Sequence, residues 1–232
     1  MSRSNPGVST TPVNKYFAWA GGSGALQHYD KEAKERVNVP LPFSFMVLDE
    51  LTSIGGFSDS DKSGIWSNEV RSVKDHLIVK TSAGTINAGT YEQIKDQLKA
   101  QGGKYARSLY IAYQEPDGED GKWVIGNIKL VGSGLGSWFE FRKANPNVHE
   151  IGVRITGTTE EKKGATTYYM PTFEAVEVGE ADNAQAIELD RELQKYLKTY
   201  FNNRAESDVV VEEAEDDLLD DQKPIDLSEI PF

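Results

Sequence analysis

The chain has 232 residues, no cysteine, 38% hydrophobic residues and a formal charge of −12. One domain of about 200 residues with a proper core fits that length. Disulfides and cysteine-ligated zinc are excluded, and no apolar run approaches the ~20 residues of a membrane span. With no signal-type apolar segment behind Met1, a soluble protein of a reducing, cytoplasmic compartment is expected.

Residues 1–12, rich in Ser, Thr, Pro and Gly, read as a flexible arm. Lys15 to Trp19 is a short aromatic strand stopped by Gly21-Gly22-Ser23-Gly24, and Ala25 to Asp30 is its hairpin return. Val37 to Leu51 carries the strongest strand signal; Pro40 and Pro42 restrict its first half to an edge, and Gly55-Gly56 break it. A polar loop over 58–64 precedes a strand from Ile65 to Ser72. Strand alternation there puts Trp66, Asn68 and Val70 on one face and Ile65, Ser67, Glu69 and Arg71 on the other. Leu77 to Thr81 is a further strand.

Thr90-Tyr91-Glu92-Gln93 is a capping-box pattern, and Tyr91, Ile94 and Leu98 follow at helical spacing until Gly102-Gly103. Two strands come next, Lys104 to Gln114 and Lys122 to Val131, joined by a turn at Glu115-Pro116-Asp117-Gly118. On the second, Val124, Ile128 and Leu130 face one way and Trp123, Asn127 and Lys129 the other. Gly132 to Gly136 reads as a flexible joint into a short element, Ser137 to Ala144. Glu150 to Thr156 and Thr166 to Val178 form a hairpin around the loop 159–164. Ala184 to Phe201 is an amphipathic helix with Leu189, Leu193, Leu197 and Phe201 at i, i+4 spacing. The expected fold class is mainly β, an OB-fold-like β-barrel with one inserted helix and a C-terminal helix. A β-sandwich with helices would give much the same string.

Catalytic motifs are missing. There is no Gly-rich loop followed by Lys-Ser or Lys-Thr, no Gly-x-Ser-x-Gly, and no paired-His motif, since His28, His76 and His149 are far apart. The glycine runs at 21–24 and 132–136 read as hinges. Asp49, Glu50, Asp59 and Asp61 read as solvated turn residues rather than metal ligands. A non-enzymatic protein without metal or cofactor is expected.

Binding is better supported. Single-stranded nucleic acid is held without sequence preference by aromatic rings that stack on bases and by cations that follow the phosphates. Several rings here stand beside positive charge: Trp19 near Lys15, Trp66 near Arg71 and Lys74, Tyr105 near Lys104 and Arg107, and Trp123 near Lys122 and Lys129. Arg142 and Lys143 follow Trp138 and Phe141. Lys15, Trp19, Trp66, Arg71, Lys74, Tyr105, Arg107, Trp123, Lys129, Arg142 and Lys143 are therefore the candidate contacts. Trp123 and Lys129, on one strand face, form the expected stacking platform.

The remaining signal is the end of the chain. Residues 206–232 hold 11 acids against one base, Lys223, so the other 205 residues carry a net charge of only −2. A block of like charge with little to bury cannot offset its ordering entropy and is expected to be disordered. It closes on Ile230-Pro231-Phe232, an apolar plug beside a carboxylate, which suits a shallow apolar pocket rimmed by Arg or Lys.

An acidic tail ending Ile-Pro-Phe resembles the tip of bacterial single-stranded-DNA-binding proteins, and the body is similar to the larger phage type. Leu227 and Ser228 interrupt the acidic run, leaving Asp226 and Glu229 beside the tip. The resemblance implies a cytoplasmic protein of a bacterium or infected host cell that protects single-stranded DNA during replication, recombination or repair. It also implies a tail, through Asp226, Glu229, Ile230, Pro231 and Phe232, that recruits replication or repair proteins. The domain plan is then an arm (1–12), an OB-like domain (13–204) and an acidic tail (205–232), with a homo-oligomer compatible with the sequence. The competing expectation is a virion or assembly component with a β-sandwich body.

Overall fold

The structure is a computed structural model and describes residues 11–115 and 121–206. Most of the expected arm, the core of the turn after Glu115 and the tail from Ser207 onward lie outside the described residues. That includes Asp226, Glu229, Ile230, Pro231 and Phe232.

The described residues are mainly β, with three helices. The strands are β1 (Lys15–Ala20), β2 (Ala25–Asp30), β3 (Glu35–Asn38), β4 (Phe43–Ser58), β5 (Ser63–Ser67), β6 (Leu77–Thr81), β7 (Gly84–Gly89), β8 (Gly103–Gln114), β9 (Trp123–Val131), β10 (Gly152–Lys163) and β11 (Thr166–Val176). The helices are α1 (Tyr91–Ala100), α2 (Gly132–Ala144) and α3 (Glu180–Glu206). The strands lie in the order β3-β2-β1-β9-β8-β4-β5-β6-β7, and β10 joins β4 while carrying β11. Among the described residues only β1 and β9 pair in parallel. β3 and β7 do not meet, so the sheet is open and not a closed barrel.

β4 is the hub. One of its edges takes β8 over Met46–Gly56; the other takes β10 at Phe43–Met46 and β5 at Gly55–Ser58. A bulge between Val47 and Asp49 exchanges the faces of the strand. Before it, Phe43, Phe45 and Val47 point into the main core with Phe17, Leu109, Ile128 and Trp138; beyond it, Leu51 points to the opposite side with Tyr110 and Ile125. Asp49 and Glu50 therefore leave the strand on opposite faces. Asp49 binds Arg71 and Gln194 of α3, whereas Glu50 meets Arg142 and Trp138 of α2. They are helix clasps, not the solvated turn residues expected.

Gly55-Gly56 do not end β4. Gly56 has φ +150°, and a Cβ there would lie 2.3 Å from the Gly102 carbonyl oxygen. Glycine lets the strand continue where the turn after α1 crosses it. The run from Gly132 to Gly136 is likewise no hinge: it forms the first turns of α2, and a Cβ at Gly134 would lie 3.1 Å from Trp19. The Val37–Leu51 strand is interrupted at 39–42, where Pro40 and Pro42 deny two ladder donors. β7 was not expected at all. α1 forms as expected, with the Gln93 side chain accepting from the Thr90 amide at 2.9 Å.

Three layers cover the sheet. α2 and the β10–β11 hairpin pack on the main core, and α1 closes a second core around Ile54, Ile65, Leu77 and Val79. α3 lays Ala186, Leu193 and Leu197 on the reverse face of β4, β8 and β9. The free edge of β11 is occupied at Tyr169: its amide donates to the Gly21 carbonyl, and its carbonyl accepts from Trp19 Nε1 and Ser133 Oγ. Pro171, two residues on, has no amide to offer.

Candidate nucleic-acid interface

The four tryptophans separate by role. Trp19 is 2% exposed and donates from Nε1 to the Tyr169 carbonyl at 3.0 Å; it is core, not a stacking ring. Trp138 is fully buried among Phe141 and Phe173. Trp123 and Lys129 do share a face of β9 opposite Ile128 and Leu130, but α3 lies on that face. Trp123 packs against Met46, Ala112 and Ala186 and donates to Asp182 Oδ1 at 3.2 Å, and Lys129 is 8% exposed. The expected platform is therefore covered. Local alternation placed the residues correctly, but a helix some sixty residues later decides what sits on them.

Three expected phosphate contacts are engaged in ion pairs. Lys15 lies 3.0 Å from Glu115. Arg71 reaches both oxygens of Asp49, at 2.7 and 2.6 Å, and stands over the Phe201 ring at 5.4 Å. Arg142 lies 2.8 Å from Glu50 Oε1, without hydrogen-bond alignment. These cations hold helices and the start of β1. Lys74 and Lys143 are exposed, in the loop before β6 and at the end of α2.

Tyr105 and Arg107 come together on the main-core side of β8. Arg107 Nη1 donates to Thr52 Oγ1 at 3.0 Å, its guanidinium stands 5.8 Å from the Tyr105 ring centre, and Tyr105 meets Tyr91 of α1 edge-on at 5.1 Å. Burial pushes the Tyr91 phenol up. The half-exposed Val73 adjoins them, its carbonyl accepting from the Tyr91 amide.

Trp66 is on the other side of the sheet. Its partner residues across the strands are Lys80 of β6 and Gly55 of β4, and Gly55 is in turn opposite Lys104 of β8. Residues directly opposite in a ladder share a face, so Lys80, Trp66, Gly55 and Lys104 form one row. Lys80 was outside the expected site, and Lys104 was expected beside Tyr105 rather than Trp66, because pairing register is not written in local sequence. Trp66 was expected beside Arg71 and Lys74, which chain proximity suggests and the fold does not provide. Among the described residues no group of His, Asp and Glu could hold a metal ion, and no helix is long and apolar enough to cross a membrane. Comparison with known families, with curated proteins and with solved structures finds no match to this chain.

Proposed function

We propose that the protein binds and protects single-stranded DNA without strong sequence preference, in replication, recombination or repair. In this reading it is not an enzyme, and it recruits partner proteins through Asp226, Glu229 and the Ile230-Pro231-Phe232 tip. The observation that carries the reading is the segregation of charge. Residues 206–232 hold ten of the twelve excess negative charges, which leaves a near-neutral body. The geometry adds one half-buried ring, Trp66, in a cross-strand row with Lys80 and Lys104.

The OB-like part of the reading rests on β4, a 16-residue strand that shifts face at a bulge and serves both halves of the sheet, with α1 inserted between strands. The test is an equilibrium titration of the full-length protein with fluorescein-labelled oligo-dT and with duplex of equal length. Tight, salt-dependent binding of the single strand and weaker binding of duplex are expected. No binding of oligo-dT at low salt would sink the reading and favour an assembly protein.

A further inference from the structure

We infer that Arg107 receives a phosphate of the single strand on the Nε/Nη2 edge of its guanidinium, on the main-core side of the sheet where β4, β8 and the start of α1 meet. The inference rests on the single-strand reading above and adds a phosphate subsite. Lys15, Arg71 and Arg142 each meet a carboxylate. Arg107 meets none among the described residues, and its hydrogen bond there runs from Nη1 to Thr52 Oγ1 at 3.0 Å. Nε–H and one N–H of Nη2 lie parallel on the edge away from Nη1, the arrangement that grips two oxygens of a phosphate. Neither atom has an acceptor among the described residues. Nε is sealed from water, so its unmet donor carries the full cost of desolvation until an acceptor arrives. Nη2 is not sealed, and an incoming anion reaches that end of the edge first.

The edge is held in place before any ligand arrives. The guanidinium stands 5.8 Å from the Tyr105 ring centre, and Thr52 Oγ1, 3.2 Å from the Tyr105 hydroxyl oxygen, ties ring and cation together. Tyr91 meets Tyr105 edge-on at 5.1 Å, and Val73, 42% exposed, accepts from the Tyr91 amide. These side chains offer an apolar wall on which a sugar or base can rest. The acids nearby are already matched. Glu50, one row along on the same face of β4, stands 2.8 Å from Arg142, and Glu92 of α1 pairs with Lys95. The charge of Arg107 is left over, and a strand phosphate supplies both the missing acceptors and the missing anion.

Two variants of the full chain test this, read by labelled oligo-dT anisotropy and by two-dimensional NMR of the arginine Nε–H groups. Arg107→Gln removes the charge; it should weaken oligo-dT binding about tenfold to 100-fold and make the log–log salt slope shallower by about 0.7, one single-strand phosphate contact. Arg107→Lys keeps the charge without the fork, so the slope should stay while affinity still falls. In the wild type, the Arg107 Nε–H resonance is identified as the one missing from Arg107→Lys. It should move on adding oligo-dT, a change that a purely structural arginine would not show.

If the wild type binds and Arg107→Gln matches it in affinity and slope, or the Nε–H resonance stays put at saturating oligo-dT, the inference is overturned. A resonance that moves with inorganic phosphate but not with oligo-dT makes this a site for free phosphate and overturns the strand contact. A wild type that does not bind oligo-dT refutes the function itself, a different result. Should Arg107→Gln fail to fold, Arg107→Lys and the wild-type resonance decide, because the lysine keeps a cation against Thr52 and Tyr105.

Discussion

Trp123→Ala separates a stacking ring from a helix anchor. In the structure the ring is pressed between β4, β8 and α3, with Met46, Ala112 and Ala186 buried around it and Leu189 and Val178 alongside. An indole removes about 200 Å² from water, which at ~25 cal/mol/Å² is an upper bound of roughly 5 kcal/mol. Partial exposure and the Cβ that alanine keeps bring this to about 3 kcal/mol. The lost hydrogen bond to Asp182 adds about 1 kcal/mol. Urea unfolding followed by far-UV circular dichroism should therefore show a midpoint lower by more than ~1 M. Amide exchange should accelerate first over residues 180–190, where α3 loses its seat. Trp123→Phe keeps the apolar contact and should lose only ~1–2 kcal/mol. An alanine variant of unchanged stability that loses tenfold in oligo-dT affinity would show Trp123 facing the ligand, and the seating of α3 would be wrong.

Arg71→Ala leaves Asp49, whose side chain is only 13% exposed, without its cation; a loss of about 1–3 kcal/mol is expected in thermal melting, with no change in the salt slope of DNA binding. Glu115 is held below the ordinary carboxylate range, chiefly by its contact with Lys15. A depressed folded value gives stability that is present above the unfolded value near 4.3 and is lost as pH falls through the lower folded one. Glu115→Gln should accordingly flatten the acid limb of melting temperature against pH below about 4. Truncation to 1–205 removes an excess of ten negative charges and should tighten DNA binding at low salt, whereas 1–231 should bind DNA as before and lose partners in a lysate pull-down. A 1–231 protein that retains every partner would leave the tip without that role.

Local chemistry made much of the element list legible. The capping box at Thr90–Gln93, the apolar repeat through Leu189, Leu193 and Leu197, and the alternation on β9 each depend on residues a few positions apart. β7 escaped because Gly84-Thr-Ile-Asn-Ala-Gly89 offers one large apolar residue and no clear period. The glycines at 55–56 and 132–136 misled for a common reason. Gly56 and Gly134 each stand against a neighbour distant in sequence, Gly102 in one case and Trp19 in the other, so the runs resemble breaks when read locally. The site was harder. Trp66 was identified, but its lysines at 80 and 104 come from strands whose register depends on a bulge and on bends set elsewhere in the chain. Arg71 and Arg142 illustrate the converse: a cation near a ring in sequence was taken up by a carboxylate of β4.

The occupied edge of β11 bears on how copies of this chain tolerate crowding. An unpaired strand is a template on which another chain can anneal, and a long hairpin is the most exposed template a sheet can offer. Here the amide and carbonyl of Tyr169 are already spent on Gly21, Trp19 and Ser133, and Pro171 cannot donate. A second molecule arriving at β11 would find two consecutive ladder positions closed. At these two positions a second chain is expected to find no ladder partner, so annealing along β11 is disfavoured there. Replacing Pro171 alone would reopen only one of the two positions.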